Sequence, residues 1–233
     1  LINMVNLTYR NVAGIHIAKK LVDEGQLGEI RHVEASYRQS WLVGHHWGRW
    51  DVEDKWLWRL SEAHGSKGVL GDVGIHILDF MAFATGMMPV SLQARLKTFH
   101  KAPGDKIGKY TLDANDSAVM SLELPNGALA VVQASRFNTG HGNELHLRVF
   151  GDKGAVEVKH MEGWTECLAC LGEDVHTQAW RPMKPPVVET NYRKFVTAVI
   201  SGQNGDPSFR RAADLQKILD ACFTADAEHA MKI

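Results

Sequence analysis

The chain has 233 residues, of which 45% are hydrophobic and 23% charged, and 26 basic residues against 27 acidic ones give a formal net charge of −1. This composition fits a globular protein of one or two domains and excludes disorder, collagen and coiled coil. A nucleic-acid binder would show a basic excess, and no apolar stretch is long enough to cross a bilayer, so we expect neither nucleic acid nor a membrane as a partner.

The first half of the chain mixes predicted strands and helices. Residues 2–9 are rich in β-forming residues and predict a strand, and apolar residues at every third or fourth position predict a helix over 12–24. Residues 30–41 predict a second strand. The Trp- and His-rich residues 44–60 predict a loop, and residues 68–86 predict a helix that is entered through glycines.

The second half predicts a series of strands joined by tight turns. The strand candidates are 90–99, 117–124, 128–137, 144–150, 155–160, 164–171 and 176–181. Two helices follow, over 191–201 and 208–229. Consecutive hairpins between early and late helices predict an α+β fold, with a largely antiparallel open sheet covered by helices on one face. The order excludes a doubly wound βαβαβ fold.

The chain has three cysteines, Cys167, Cys170 and Cys222, and so small and odd a number argues against a disulfide framework. Cys167 and Cys170 form a CxxC pattern, but they lie in a predicted strand, where residues three apart point to opposite faces. We therefore expect free thiols and no metal site. Together with the lack of a visible signal peptide, this predicts a cytoplasmic protein.

The helix over 68–86 carries the most informative pattern of the chain. It is apolar around most of its circumference, and its one polar line is Asp72, His76 and Asp79. In one interpretation Asp72 caps the helix and His76 is a core histidine with satisfied hydrogen bonds. In the other the line faces a cleft, where His76 transfers a proton and Asp72 orients its ring. Spacing alone leaves both interpretations open.

The same segment resembles the Gfo/Idh/MocA family of NAD(P)-dependent oxidoreductases, which includes glucose–fructose oxidoreductase and inositol dehydrogenase. The family's hallmark is a Gly-rich run into Asp-x-x-x-His with a further Asp, and this chain has Asp72-Val-Gly-Ile-His76-Ile-Leu-Asp79. Weaker likenesses lie in order at 5–10, 25–30, 84–86 and 150–154. Together they cover nearly the whole chain.

The resemblance implies a reaction and roles for single residues. His76 would be the acid/base at the substrate hydroxyl, and Asp72 would bind substrate and orient His76. Asp79, two turns further along, is expected to be structural. The implied activity is oxidation of a secondary hydroxyl of a sugar, cyclitol or related polyol with NAD or NADP. A non-catalytic binding or oligomerisation domain of the same fold is the alternative.

The chain also departs from the family pattern. The family's dinucleotide-binding domain, with its Gly-rich turn and a Lys in a Glu-Lys-Pro motif, has no counterpart here. The resemblance thus implies that residues 1–25 are a remnant of that domain, its last strand and a linking helix, and that residues 26–233 form the substrate-binding and oligomerisation domain. Cofactor-binding residues stay unknown, and the chain alone is expected to be inactive.

Further candidates for substrate contact lie outside the polar line. Five of the seven tryptophans fall within 41–58, and aromatic faces beside polar groups suit sugar recognition, so Trp47 and Trp56 are predicted to bind substrate. A loop held to the core by its tryptophans is the alternative. Tyr9 and Arg10, at the carboxyl end of the first predicted strand, are predicted to reach the cleft.

The predicted sheet also suggests a contact between copies of the chain. Residues 128–134 are apolar on both faces of their strand, and a strand buried on both sides needs cover beyond one layer of helices. Members of the family associate in this way. We therefore expect a homodimer or homotetramer formed through the sheet.

Overall fold

A computed structural model describes residues 1–228 of the chain. Within this range the α-helices are α1 (Ala13–Asp23), α2 (Asp54–Leu57), α3 (Ile75–Thr85), α4 (Asp174–Thr177), α5 (Asn191–Ser201) and α6 (Phe209–Glu228). The helices predicted over 12–24 and 191–201 are confirmed. The last residue of the helix predicted over 208–229 lies outside the described residues.

Eight strands form one open sheet. They are β1 (Ile30–Arg38), β2 (Ser91–Lys97), β5 (Ser117–Glu123), β6 (Leu129–Ser135), β7 (Glu144–Gly151), β8 (Gly154–Met161), β9 (Trp164–Leu171) and β10 (Arg181–Pro182). The order is β10-β9-β8-β7-β1-β6-β5-β2, and only β1 with β6 pairs in parallel among the described strands. A separate hairpin joins β3 (Lys106–Ile107) and β4 (Tyr110–Thr111). The expected α+β fold with a largely antiparallel sheet is confirmed.

Helices cover one face of this sheet and form the core with it. α1 packs on β8 and β9, α3 on β1, β6 and β7, and α6 on β2. The close approach of α1 depends on Gly14, because a Cβ there would lie 2.6 Å from Cγ1 of Val158. Residues 1–25 share this core with the rest of the chain. Their assignment to a different domain stays a prediction.

The strand β6 is not buried on both faces in the single chain. Its residues alternate, so that Ala130, Val132 and Ala134 face the helices while Leu129 and Val131 are 54% and 40% exposed. The single chain therefore leaves this face open, and the expectation that a second copy of the chain covers it stays a prediction.

Two strand predictions are wrong. Residues 2–9 form no strand; the segment ends in a short 3₁₀-helix at Thr8–Asn11, and its Val5 N–H bonds to the carbonyl of Pro207. Its apolar residues pack on the core from a loop, with no sheet edge beside them. Residues 176–181 instead contain the end of α4 and the start of the two-residue strand β10.

The helix predicted over 68–86 is present but is not uniform. It runs from Gly68 to Thr85, with a π-helical turn at Leu70–Gly74 before α3 begins. Its start is fixed by Asn115, whose Oδ1 accepts from Leu70 N–H at 3.0 Å and whose carbonyl accepts from Val69 N–H at 2.7 Å. Gly68 has a φ of +65°, and a Cβ there would lie 2.4 Å from Asn115. A larger residue at position 68 would therefore displace this turn.

Candidate functional site

A cavity of about 420 Å³ lies beside the π-helical turn. His76 and Asp72 are both in its wall, so the polar line of the sequence faces a cleft along this part. The remaining wall comes from the N-terminal segment, the loop before the helix, and α6. It consists of Val5, Asn6, Leu7, Trp58, Arg59, Gly65, Ser66, Lys67, Gly68, Gly71, Ile75, Gln216, Leu219 and Phe223.

His76 lies at the inner side of this cavity. Its ring packs edge-on against Tyr9, with 5.3 Å between ring centroids. Its Nδ1 is buried and has no hydrogen-bond partner among the described residues, so Nε2 is the nitrogen left for a ligand. Burial lowers the pKa of His76, and the negative charges of Asp72 and Asp79 offset part of that shift. The imidazole is thus favoured in its neutral form, which accepts a proton.

Asp72 is held by an arginine that the sequence analysis did not identify. Nη2 of Arg136 donates to Oδ2 of Asp72 at 2.9 Å. The Arg136 side chain is completely buried, whereas that of Asp72 is 37% exposed. The expected bond between Asp72 and His76 is not among the hydrogen bonds of residues 1–228. Asp72 acts on His76 through its charge.

Tyr9 connects the cavity to a hydrogen-bonded cluster at the end of the sheet. The hydroxyls of Tyr9 and Tyr37 are bonded to each other. Asn143 donates from Nδ2 to Tyr9 Oη at 2.7 Å and accepts from Tyr37 Oη and from Gln39 Nε2 at 2.5 and 2.9 Å. Burial raises the pKa of both tyrosines. Tyr9 is therefore a neutral neighbour that fixes the His76 ring.

Arg10 was predicted to reach the cleft, but it is not among the residues that line the cavity. Its guanidinium is buried and makes a bidentate pair with Asp79, from Nε at 2.5 Å and from Nη2 at 2.9 Å. Nη1 of Arg10 donates to Asp206 at 2.6 Å, and Nε of Arg211 donates to Asp79 at 2.8 Å. All three guanidinium nitrogens of Arg10 thus donate to carboxylates. We assign Arg10 and Asp79 to this ion-pair network instead of the cavity.

Trp47 and Trp56, which were predicted to bind substrate, are not among the residues that line the cavity. Trp47 stacks on Trp56 with ring centroids 6.3 Å apart, and Trp56 packs on Trp41 at 5.3 Å. These rings belong to a second small core, which favours the alternative of a loop held by its tryptophans. The next turn of the chain instead brings Trp58 and Arg59 into the cavity wall. Trp56 and Trp58 point to different sides because Trp56 lies in α2, whereas Trp58 begins a short 3₁₀-helix at Trp58–Leu60.

The three cysteines are not among the residues that line the cavity. Cys167, Cys170 and Cys222 are buried and free. Cys167 pairs in register with Val158 and Cys170 with Ala155, on opposite faces of the sheet, as predicted. In the described part of the chain no cluster of His, Cys, Asp and Glu is arranged to hold a metal ion. No helix in that part is long and apolar enough to cross a membrane.

Sequence reasoning missed Arg136 and Asn143. Arg136 directly follows β6, 64 residues from its partner Asp72, and Asn143 directly precedes β7. Nothing local marks either residue as part of a site. The available signal was an unexplained arginine at the end of an otherwise apolar strand, because a buried arginine needs a carboxylate or carbonyl partner.

Comparison with protein families gives one match over most of the chain. The model described as the GFO/IDH/MocA C-terminal domain matches residues 15–157. Levoglucosan dehydrogenase of Pseudarthrobacter phenanthrenivorans is 25% identical over 170 residues, which are 67% of this chain and 42% of that protein. Glucose-6-phosphate 3-dehydrogenase of Bacillus subtilis is 24% identical over 153 residues, 64% of this chain and 40% of that protein.

Solved structures agree with these matches. An oxidoreductase domain protein from Kribbella flavida is 28% identical with a TM-score of 0.79, and the likeness covers 97% of this chain and 65% of that one. Levoglucosan dehydrogenase in complex with NADH and levoglucosan has the same fold, with a TM-score of 0.82, 21% identity, and coverage of 98% and 64%. The chain spans less than half the length of the curated relatives it matches.

Proposed function

The chain belongs to the Gfo/Idh/MocA family of oxidoreductases, and from that premise we propose that it is the substrate-binding part of a dehydrogenase. The reaction is the oxidation of a secondary hydroxyl of a sugar, cyclitol or related polyol with NAD or NADP. The observation that carries the proposal is the position of His76, which is half-buried in the wall of a cavity of about 420 Å³ and whose pKa is lowered by burial. Relatives that act on levoglucosan and on glucose 6-phosphate support the substrate class.

In this reaction the chain handles the proton. When a hydride leaves the carbinol carbon, the hydroxyl proton needs an acceptor within hydrogen-bond reach, and neutral His76 offers Nε2 for it. Tyr9 fixes the ring by its edge-on contact. Trp58 and Arg59, which line the same cavity, take over the role of sugar contacts from Trp47 and Trp56. An indole face covers C–H groups, and a guanidinium donates to hydroxyls.

The nicotinamide cofactor, when bound, supplies the hydride acceptor. The sequence has no G-x-G-x-x-G turn, and the described sheet has one parallel pair of strands with no crevice of the dinucleotide-binding kind. These residues do not form the phosphate site of a dinucleotide. We therefore assign none of them to the cofactor.

The test is the replacement of His76 by Gln. General acid–base catalysis typically contributes about 10²–10⁴-fold, so nicotinamide reduction with a panel of sugars and polyols should fall by that factor when it is assayed in the intact protein with the family's dinucleotide-binding domain present. The matched control is His64→Gln, because His64 is an exposed histidine in the loop before the same helix. Turnover that survives in His76→Gln would remove the acid/base role. A wild-type protein that binds sugars but reduces no nicotinamide would favour the non-catalytic alternative.

A second copy of the chain is proposed to cover the open face of the sheet. Val119, Leu129 and Val131 on that face are 49%, 54% and 40% exposed, and they lie on the adjacent strands β5 and β6. Each lies opposite a polar residue of the neighbouring strand, Gln133, Glu123 and Ser121 respectively, and such a mixed apolar and polar face is compatible with a subunit interface. Sedimentation should show a dimer or tetramer that Val131→Lys dissociates. Val52→Lys, at an exposed valine away from the sheet, should leave it intact, and a monomeric wild type would contradict the proposal.

The protein is further proposed to work in the cytoplasm. Its three free, buried thiols within the described residues fit a reducing compartment.

A further inference from the structure

Arg136 directly follows β6 and is an unusual residue to find in the interior of a protein. Its side chain is completely buried, and its guanidinium lies 4.9 Å from the centre of the Trp41 ring. Nη1 donates to the carbonyl of Arg59 at 3.1 Å, and Nη2 donates to Asp72 at 2.9 Å. Burying a guanidinium is costly, and a fully buried arginine is rare unless it is paired. Its one carboxylate partner by direct contact within the described residues is Asp72.

Asp72 and His76 are four residues apart on a helix, a spacing that brings side chains together. Even so, no hydrogen bond joins them within residues 1–228, and the buried Nδ1 of His76 has no partner there. A carboxylate beside an imidazole normally forms an ion pair and stabilises the protonated ring. Here the carboxylate is turned to Arg136 instead.

We propose that Arg136 is a positioning residue that holds the Asp72 carboxylate away from His76 and so prevents it from pairing with the imidazole. The inference rests on the proposed function, because a neutral imidazole is what a proton acceptor in the oxidation requires. It reverses the role that the family resemblance implies for Asp72. In this chain Asp72 is restrained from pairing with the histidine.

The other charged and titratable groups near His76 do not substitute for Asp72. On its own helix Asp79 is occupied by Arg10 and Arg211. From the N-terminal segment Tyr9 faces the ring, with Tyr37 of β1 and His160 of β8 behind it. Arg59 and Lys67 line the same cavity and, as cations, offer His76 no negative charge. Among these groups Asp72 is therefore the carboxylate free to move onto His76 once Arg136 is removed.

The experiment measures the pKa of His76 by NMR titration of the whole chain, with the signal among the 12 histidines assigned from the His76→Gln spectrum. In Arg136→Gln the carboxylate is released, and the pKa of His76 should rise by about 1–3 units, the usual effect of an adjacent opposite charge. Arg136→Lys keeps a cation at Asp72 and should return it close to wild type. The double variant Arg136→Gln with Asp72→Asn should abolish the rise.

A purely structural role for Arg136 would lower stability without moving this pKa, and that result would overturn the proposal. Asp72→Asn alone gives an answer even if the arginine variants do not fold. A fall smaller than one unit agrees with a carboxylate held away, and a fall of about 1–3 units would show direct pairing with His76 and sink the idea. Because the titration needs no turnover, its failure is distinguishable from the failure of the proposed function.

Discussion

The two ends of one polar line hold their carboxylates in different ways. Asp79 has 3% of its side chain exposed and is bound by two arginines, Arg10 and Arg211, from the N-terminal segment and from α6. Asp72 has 37% of its side chain exposed, is bound by Arg136 alone and faces the cavity. A buried carboxylate with two cations ties elements together, whereas a half-exposed one with a single cation acts on the electrostatics of its neighbour.

Neutralising each carboxylate in turn is the most direct test of this difference between Asp79 and Asp72. Asp79→Asn leaves Arg211 without its carboxylate partner and the buried Arg10 with Asp206 alone, and we expect the free energy of unfolding to fall by about 3–5 kcal/mol. Asp72→Asn keeps an oxygen for Arg136 at a half-exposed position but removes the carboxylate beside this buried guanidinium, and it should cost a smaller amount of about 1–3 kcal/mol. Denaturant unfolding with both variants checks the order, and equal losses would mean that the two ends do not differ.

Trp56 and Trp58 show a similar difference in the segment beside the cavity. Trp56 packs in the second core, whereas Trp58 lines the cavity. Trp56→Ala removes a ring that packs on Trp41 in the second core, and we expect a loss of about 2–3 kcal/mol in unfolding free energy. Trp58→Ala, at a side chain that is 40% exposed, should change stability by no more than about 0.5 kcal/mol.

Steady-state kinetics separates the two tryptophans further. Trp58→Ala should raise the KM for the sugar, because Trp58 lines the cavity. A KM effect confined to Trp56→Ala would restore the original prediction for that residue.

The smallest expected effect is a dependence of stability on pH. Burial lowers the pKa of His76, so between that lowered value and about 6.5 the unfolded chain binds more protons than the folded one. The free energy of unfolding should therefore fall as the pH drops through about 6.5, and His76→Gln should lack this part of the fall. Unfolding at about pH 8 and about pH 5 measures it, with His32→Gln on the exposed sheet face as control. Parallel pH curves for wild type and His76→Gln would contradict the assignment.

The sequence predicted those features that depend on local periodicity. The helix over 68–86, the hairpins and the helix-covered antiparallel sheet follow from spacing and turn residues, and so does the polar line. Arg136 was missed because its contact with Asp72 spans 64 residues and has no local pattern. Trp56 and Trp58 were not distinguished because their orientation depends on a short helix too brief to leave a period. Residues 2–9 mimic a strand, since alternation describes any extended segment that packs one side on a core.

The π-helical turn at Leu70–Gly74 has a consequence for aligning relatives of this chain. A π turn closes its hydrogen bonds over one more residue than an α turn, so it accommodates an insertion without disturbing the helix that follows. Deleting one residue between Gly68 and Asp72 would restore ordinary winding and rotate the residues before the deletion by about 100° relative to α3. The Asp79 network, the sheet and the contact between Asp72 and Arg136 would be preserved, while the bonds from Val69 and Leu70 to Asn115 at the start of the helix would be lost. A single gap at this point in a homologue therefore marks a change in the cavity wall at Gly68 and Gly71 within an unchanged fold.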